Sequence, residues 1–180
     1  NHIVYISGNC WGGNYNSFEE HSLKDADNNM VITFHKYWTS NEKGAIDNWI
    51  QMRETYQLPL WMSEGGENSN TWFSDCIALY ENNQIGWSWW PVKKSKINNV
   101  LKVHTDKAYT ALIDSWKNEK PLDAETTFKV VMDYAENHKI ENCTVAKDVI
   151  YAMTKQVMSN LTEPFAVHST DQTIRFADYD

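Results

Sequence analysis

The sequence predicts an α/β fold in which parallel strands alternate with helices. Four short apolar runs, rich in β-branched and aromatic residues, are typical of buried strands: Ile3–Ile6, Met30–Phe34, Leu58–Met62 and Ile85–Trp90. Equivalent positions near their ends, Ile6, Phe34, Met62 and Ser88, are 28, 28 and 26 residues apart. Because parallel neighbours need a crossover connection, this period predicts repeated βα units.

Apolar residues with helical spacing lie between and after these strands. One face before the third strand contains Ile46, Trp49 and Ile50, and one before the fourth contains Trp72, Cys76, Leu79 and Tyr80. After the fourth strand we expect three helices and no strand before residue 172. The apolar face of the first contains Ala108, Leu112, Ile113 and Trp116. The second, capped by Asp123, has a face of Phe128, Val131, Met132 and Ala135, and the third, capped by Thr144, has a face of Val145, Val149, Ala152 and Met153. Residues 172–180 alternate weakly, as in a strand.

The spacing of the units favours a closed barrel over an open sheet. A (β/α)8 barrel of about 250 residues averages roughly 31 residues per unit, so four units make half a barrel. A doubly wound sheet is the alternative, although no glycine-rich phosphate turn follows any strand. The predicted organisation is half a barrel over residues 1–120, appended helices over 121–165, and a linker with a candidate first strand of a truncated following β-domain over 166–180.

Composition narrows the classes of partner. A net charge of −8 argues against binding to a phosphate backbone, so we expect no nucleic-acid partner. No run approaches the roughly 18 apolar residues of a membrane helix, so we expect no membrane partner either. The three cysteines show neither a disulfide framework nor a metal-ligand spacing. An acidic polymer would be repelled as well, so a neutral partner fits better. Several of the nine tryptophans lie near predicted strand ends, where an exposed indole can stack on the apolar face of a sugar ring.

The polar residues at the strand ends are the candidates for chemistry, since parallel barrels build their sites there. A glutamate at a strand end can attack an anomeric carbon, a phenol can orient it, and an indole can pack against a sugar. Those positions are Asn9 and Trp11 after the first strand, His35 and Tyr37 after the second, Glu64 after the third, and Trp87, Trp89 and Trp90 after the fourth.

Three motifs at these ends resemble glycoside hydrolase family 5, the cellulase-like retaining β-glycosidases. They are the pair in His35-Lys36-Tyr37, the run Pro59-Leu60-Trp61-Met62-Ser63-Glu64-Gly65-Gly66, and Gly86-Trp87-Ser88-Trp89-Trp90 followed by Lys93. The resemblance implies that the units are strands 5–8, the C-terminal half of the catalytic TIM barrel, and that the substrate is a neutral polysaccharide or oligosaccharide such as a β-glucan or mannan. Hydrolysis would need no metal and no organic cofactor.

The resemblance also implies roles for individual residues. Glu64 would be the catalytic nucleophile, Tyr37 would donate a hydrogen bond to it, and His35 would contact the sugar or the acid/base. Trp90 would be the platform under the sugar, and Asn9 and Trp11 would line the substrate site.

Two departures from the family pattern are visible. Position 7 is Ser7 where relatives often carry glutamate, and no Asn-Glu-Pro motif supplies the acid/base. We therefore expect this chain to be inactive without the N-terminal half of the barrel. Separately, the last residues are similar to the first strand of some carbohydrate-binding modules, so such a module is a candidate continuation.

Other readings of the sequence stay open. A non-catalytic carbohydrate-binding protein could retain the aromatic floor, and a barrel isomerase or aldolase is more distant because it needs a phosphate loop, a metal cluster or a Schiff-base lysine. From the substrate class, we expect a secreted, extracellular or periplasmic protein.

Overall fold

The structure is a computed structural model that describes residues 2–20 and 28–154. The chain divides into two compact units, one drawn from Asn1–Trp90 and Asp148–Asp180, the other from Pro91–Lys147. The helices of the described ranges and a parallel sheet make this a mixed α/β protein.

A four-stranded parallel sheet forms the centre of the first unit. Its strands are β1 (Val4–Ser7), β2 (Met30–Lys36), β3 (Leu60–Gly65) and β4 (Gly86–Trp87), paired in that order. The four predicted strands and their parallel arrangement are thereby confirmed, while the half-barrel stays a prediction.

The strand ends differ from those predicted. β2 and β3 extend two and three residues further, so His35 and Glu64 lie within strands rather than after them. Regular pairing of β4 ends at Trp87, although Ser88 and Trp90 still donate backbone hydrogen bonds to Met62 and Gly65 of β3.

Three helices contribute side chains to the core on one face of this sheet. They are α2 (Asn16–Glu20), α3 (Asp47–Tyr56), which follows a 3-10 turn at Lys43–Ile46, and α4 (Asn70–Asn82), while α1 (Asn9–Gly12) is a single turn after β1. The predicted helices before the third and fourth strands are confirmed as α3 and α4. Ser69 caps α4 by accepting a hydrogen bond from the Trp72 N–H, which satisfies one of the unpaired donors of the first turn.

The core lies between the sheet and α3 and α4. Ile32, Phe34, Leu60 and Met62 point to this side, because alternate strand residues share a face. Phe34 stacks on Trp49 with ring centroids 4.2 Å apart. Each such buried side chain contributes roughly 1.5–3 kcal/mol through removal of apolar surface from water.

The helix α7 (Lys147–Thr154) packs on α4. Asn70 donates to the Asp148 carboxylate and Ser74 donates to the Ala152 carbonyl, while Val149 is fully buried. Of the apolar face predicted for this helix, Val149, Ala152 and Met153 lie in α7, while Val145 precedes it.

The second unit contains a small sheet where the sequence predicted helices only. Its strands are β5 (Lys93–Lys94), β6 (Leu101–Lys102) and β7 (Thr144–Val145); β6 pairs with β5 in parallel and with β7 antiparallel. The prediction that Thr144 caps α7 is wrong. Thr144 and Val145 are β-branched residues that pair with Lys102 and Leu101, and the helix begins at Lys147.

Two helices, α5 (Lys107–Lys117) and α6 (Ala124–Glu136), complete the second unit, with a 3-10 turn at Ile140–Asn142. The predicted cap is confirmed, because Asp123 accepts a hydrogen bond from the Thr126 N–H at 2.8 Å.

The buried face of α5 is narrower than predicted, and the buried face of α6 is rotated relative to the predicted one. On α5, Leu112 is buried while Ala108 and Trp116 are exposed. On α6, Val130 is buried and Tyr134 stacks on Tyr109 at 3.6 Å. The apolar row predicted to face the core is exposed instead; its members are Phe128, Val131, Met132 and Ala135.

The predicted strand at 172–180 and the segment 166–180 lie outside the described residues. The predicted domain boundary at residue 120 stays a prediction. In the described ranges no helix is long and apolar enough to cross a membrane.

Candidate active site

A β-bulge in β3 decides which way Glu64 points. Phe34 is opposite Met62, but the next residue, His35, is opposite Glu64, so Ser63 is an extra residue in the pairing. Strict alternation would place Glu64 on the same face as Met62, towards the helices. The bulge turns the carboxylate to the other face of the sheet, which it shares with His35.

His35 in β2 and Tyr37 directly after it both lie close to one oxygen of Glu64. The Tyr37 hydroxyl donates to Glu64 Oε2 at 3.3 Å, and His35 Nδ1 lies 3.3 Å from the same oxygen. His35 and Tyr37 reach it together because they are two residues apart along an extended segment. A doubly protonated His35 ring at this distance forms an ion pair with Glu64.

The electrostatic setting keeps Tyr37 a donor. Burial raises the pKa of the Tyr37 phenol well above its usual range, and the negative charge of Glu64, the hydrogen bond to it and the charge of Glu67 raise this pKa further. A phenol that keeps its proton can orient the carboxylate and stabilise its ionised form. Tyr37 therefore keeps its proton, and can donate it in a hydrogen bond to Glu64, throughout the neutral pH range.

A glycine brings Trp90 against the end of β3. The Trp90 N–H donates to the Gly65 carbonyl at 2.8 Å, and its side chain is 48% exposed. Gly66 has a φ of 144°, and a Cβ there would lie 2.3 Å from the Trp90 carbonyl oxygen. Only glycine permits this approach, which holds the Trp90 backbone beside the end of the strand that carries Glu64.

The other two tryptophans of this segment have packing roles. Trp87 donates its indole N–H to the Glu81 carboxylate at 2.8 Å. Trp89 packs edge-on against Phe73 with ring centroids 5.0 Å apart.

Asn9 and Trp11 lie on the same edge of the sheet, in the single turn α1. The Asn9 backbone N–H donates to the Asn14 carbonyl, and the Asn9 carbonyl accepts from the N–H groups of Gly13 and Asn14, just beyond this turn. Trp11 is 88% exposed and has a φ of 54°, as does its neighbour Cys10 at 53°. The structure thus brings Glu64, His35 and Tyr37 together, and leaves Trp11 as a solvent-facing indole on the same rim.

Two residues beside the site were missed by the sequence reasoning. Trp38, next to Tyr37, is 72% exposed. Lys36 is only 2% exposed, and its ammonium donates to Asn41 Oδ1 at 2.7 Å and to the Thr39 carbonyl at 3.3 Å. Burial lowers the pKa of Lys36. A charged residue at the end of an apolar strand was the available signal, since lysine is rarely buried without partners.

A cavity of about 610 Å³ lies elsewhere, along α3 and the segment 13–16, and its lining includes Tyr15, Trp49 and Tyr56. None of the predicted site residues lines it. No group of three or more histidine, cysteine or acidic side chains is placed to hold a metal ion within residues 2–20 and 28–154.

Comparison with known proteins gives a distant likeness among solved structures. No protein-family model matches the chain, and no curated protein matches it. Among solved structures, the chain is similar to a triple mutant of the endo-β-1,4-glucanase from Xanthomonas axonopodis pv. citri, at 15% identity and a TM-score of 0.43. The match covers 74% of this chain and 48% of the glucanase, so the chain spans about half of that protein's length.

Proposed function

We propose that Glu64 is the nucleophile of a retaining β-glycosidase of the family-5, cellulase-like type, and that this chain is the C-terminal half of its catalytic barrel. The observation that carries the proposal is the convergence of the Tyr37 hydroxyl and His35 Nδ1 on Glu64 Oε2, both at 3.3 Å, at the carboxyl end of a parallel strand. With the Tyr37 hydroxyl bonded to Oε2 and His35 beside the same oxygen, Oε1 would be the attacking atom.

The reaction proceeds by double displacement. Oε1 of Glu64 forms a bond to the anomeric carbon while the bond from that carbon to the leaving oxygen breaks, and a carboxylic acid about 5–5.5 Å away donates the proton. Water then cleaves the glycosyl-enzyme, and the second carboxylate takes the proton from the water. The second carboxylate would come from the preceding four βα units of a longer parent protein, so the chain alone would be inactive.

The substrate proposed for this site is a neutral β-linked polysaccharide or oligosaccharide. A chain with a net charge of −8 repels acidic polymers. Trp90 beside the end of β3 offers an apolar face for a pyranose ring. Because such polymers occur outside cells, the proposal includes a secreted, extracellular or periplasmic location.

Covalent labelling of the full-length parent tests the proposal. Mechanism-based 2-fluoro-glycosides, in a glucose series and a mannose series, should form an adduct that peptide mass mapping places on Glu64. Glu64→Gln should abolish the adduct. Glu67→Gln is the matched control, because it removes a carboxylate three residues further along the chain and should leave the labelling intact.

The other outcomes are equally informative. A folded parent that binds glycan but is never labelled would favour a non-catalytic carbohydrate-binding protein. Labelling of Glu67 instead would show that the nucleophile has been assigned to the wrong carboxylate.

A further inference from the structure

Trp38 presents its indole to solvent one residue beyond the group that holds Glu64. Its side chain is 72% exposed, and its ring centroid lies 5.5 Å from that of Tyr37, with the planes tilted by 43°. The Tyr37 hydroxyl contacts Glu64, so the Trp38 ring adjoins a residue of the candidate site. Large exposed aromatic side chains beside a site are candidates for binding, because water solvates their faces poorly.

The backbone that carries Trp38 is strained. Trp38 has a φ of 49°, and the Thr39 N–H donates to the Tyr37 carbonyl at 2.6 Å across it. A three-residue turn of this sense is the rare one, and a bulky residue at positive φ costs about 1–3 kcal/mol. Such strain persists only where the surrounding structure enforces it, and it clusters at functional sites.

A buried polar network behind the turn enforces this conformation. Lys36 donates to Asn41 Oδ1 and to the Thr39 carbonyl, and its ammonium lies 4.8 Å from the centre of the Trp72 ring. Asn41 donates to the Trp72 carbonyl at 3.1 Å, and the Trp72 indole N–H donates to the Thr39 carbonyl at 2.8 Å. The loop is therefore tied to α4 at Thr39 and Asn41, directly after Trp38.

We propose that Trp38 is a second sugar-stacking position, which binds a unit of the glycan next to the one attacked by Glu64. The inference rests on the proposed function and extends it, because a second stacking surface selects a chain of several β-linked neutral pyranoses over a simple monosaccharide glycoside. A ring held in place before binding loses little entropy when the sugar packs on it, so the strained and tied turn favours affinity.

The test measures binding of β-linked gluco- and manno-oligosaccharides of two to six units to the full-length parent, by calorimetry. Trp38→Asn removes the ring, and asparagine tolerates positive φ, so the fold should be kept. We expect about a 5–10-fold loss of affinity for the longer oligosaccharides and no change for the disaccharide. Trp38→Phe should restore most of the loss, and Trp116→Ala, at an exposed indole on α5, should change nothing.

The outcomes separate this inference from the proposed function. If Glu64 is labelled and long oligosaccharides bind Trp38→Asn as tightly as the wild type, the second stacking position does not exist. If the wild-type parent binds no oligosaccharide and is not labelled, the proposed function fails and this inference fails with it.

Discussion

Gly66→Ala tests how the Trp90 segment is held against β3. The added Cβ would lie 2.3 Å from the Trp90 carbonyl oxygen and 3.1 Å from the Trp89 indole nitrogen. An L-residue at a φ of 144° costs about 1–3 kcal/mol. Moving Trp90 away would also break its hydrogen bond to the Gly65 carbonyl, which is worth about 1 kcal/mol. We therefore expect the free energy of unfolding to fall by about 2–4 kcal/mol.

The assay is urea unfolding followed by tryptophan fluorescence. Eight of the nine tryptophans lie at or before residue 90, so the signal reports mainly on the first unit. Gly44→Ala is the matched control: its Cβ would come no closer than 3.9 Å to Asp47 Oδ2, and we expect a change within about 0.5 kcal/mol. Equal midpoints for Gly66→Ala and Gly44→Ala would refute the close-approach argument.

Two further predictions concern Tyr37 and Cys76. Tyr37→Phe removes the hydrogen bond to Glu64 Oε2, and because such a bond to a charged group is worth about 1.5–3 kcal/mol, kcat/KM of the parent should fall about 10–100-fold in steady-state assays. Burial raises the pKa of the Cys76 thiol to about 11, so an unfolded chain loses this proton at lower pH than the folded one. The contribution of the protonated thiol to the free energy of unfolding is therefore complete below pH 9 and is lost as the pH rises to 11. Over this range the free energy of unfolding should fall by about 2–3 kcal/mol more in the wild type than in Cys76→Ala.

Each of these predictions has its own control. Tyr5→Phe removes a phenol oxygen from an exposed position on β1 and should leave kcat/KM unchanged. An unaltered kcat/KM in Tyr37→Phe would show that the hydrogen bond does not matter for the reaction. Parallel curves of unfolding free energy against pH for the wild type and Cys76→Ala, measured from pH 8 to 11, would contradict the shift assigned to the buried thiol.

The sequence was most informative where one local rule acts alone. Short apolar runs at a regular period predicted β1 to β4 and their parallel order, because strand burial and crossover length leave few alternatives. The two-residue spacing of His35 and Tyr37 predicted that they share a face, and both now contact Glu64. Asp123 was identified as a helix cap from its position before an apolar row.

The sequence was less informative where several arrangements compete. The helix α6 has two apolar rows, and the row that is buried is the one that contains Val130 and Tyr134, whose ring stacks on Tyr109. Thr144 is a good cap and a good strand residue, and pairing with Lys102 decides between these states. The presentation of Trp38 depends on a buried lysine, an asparagine and an indole from α4, which no local pattern relates to one another.

The bulge in β3 makes the number of residues in this strand as important as their identities. Ser63 contributes little chemistry of its own, with one long hydrogen bond to the Phe34 carbonyl. Its presence nevertheless changes the parity of every later position, so Glu64 faces His35 instead of the helices. A deletion at position 63 should therefore turn Glu64 away from His35, although both residues would still be present in the sequence. A designer who transplants Glu64, His35 and Tyr37 to another sheet must copy that extra residue as well.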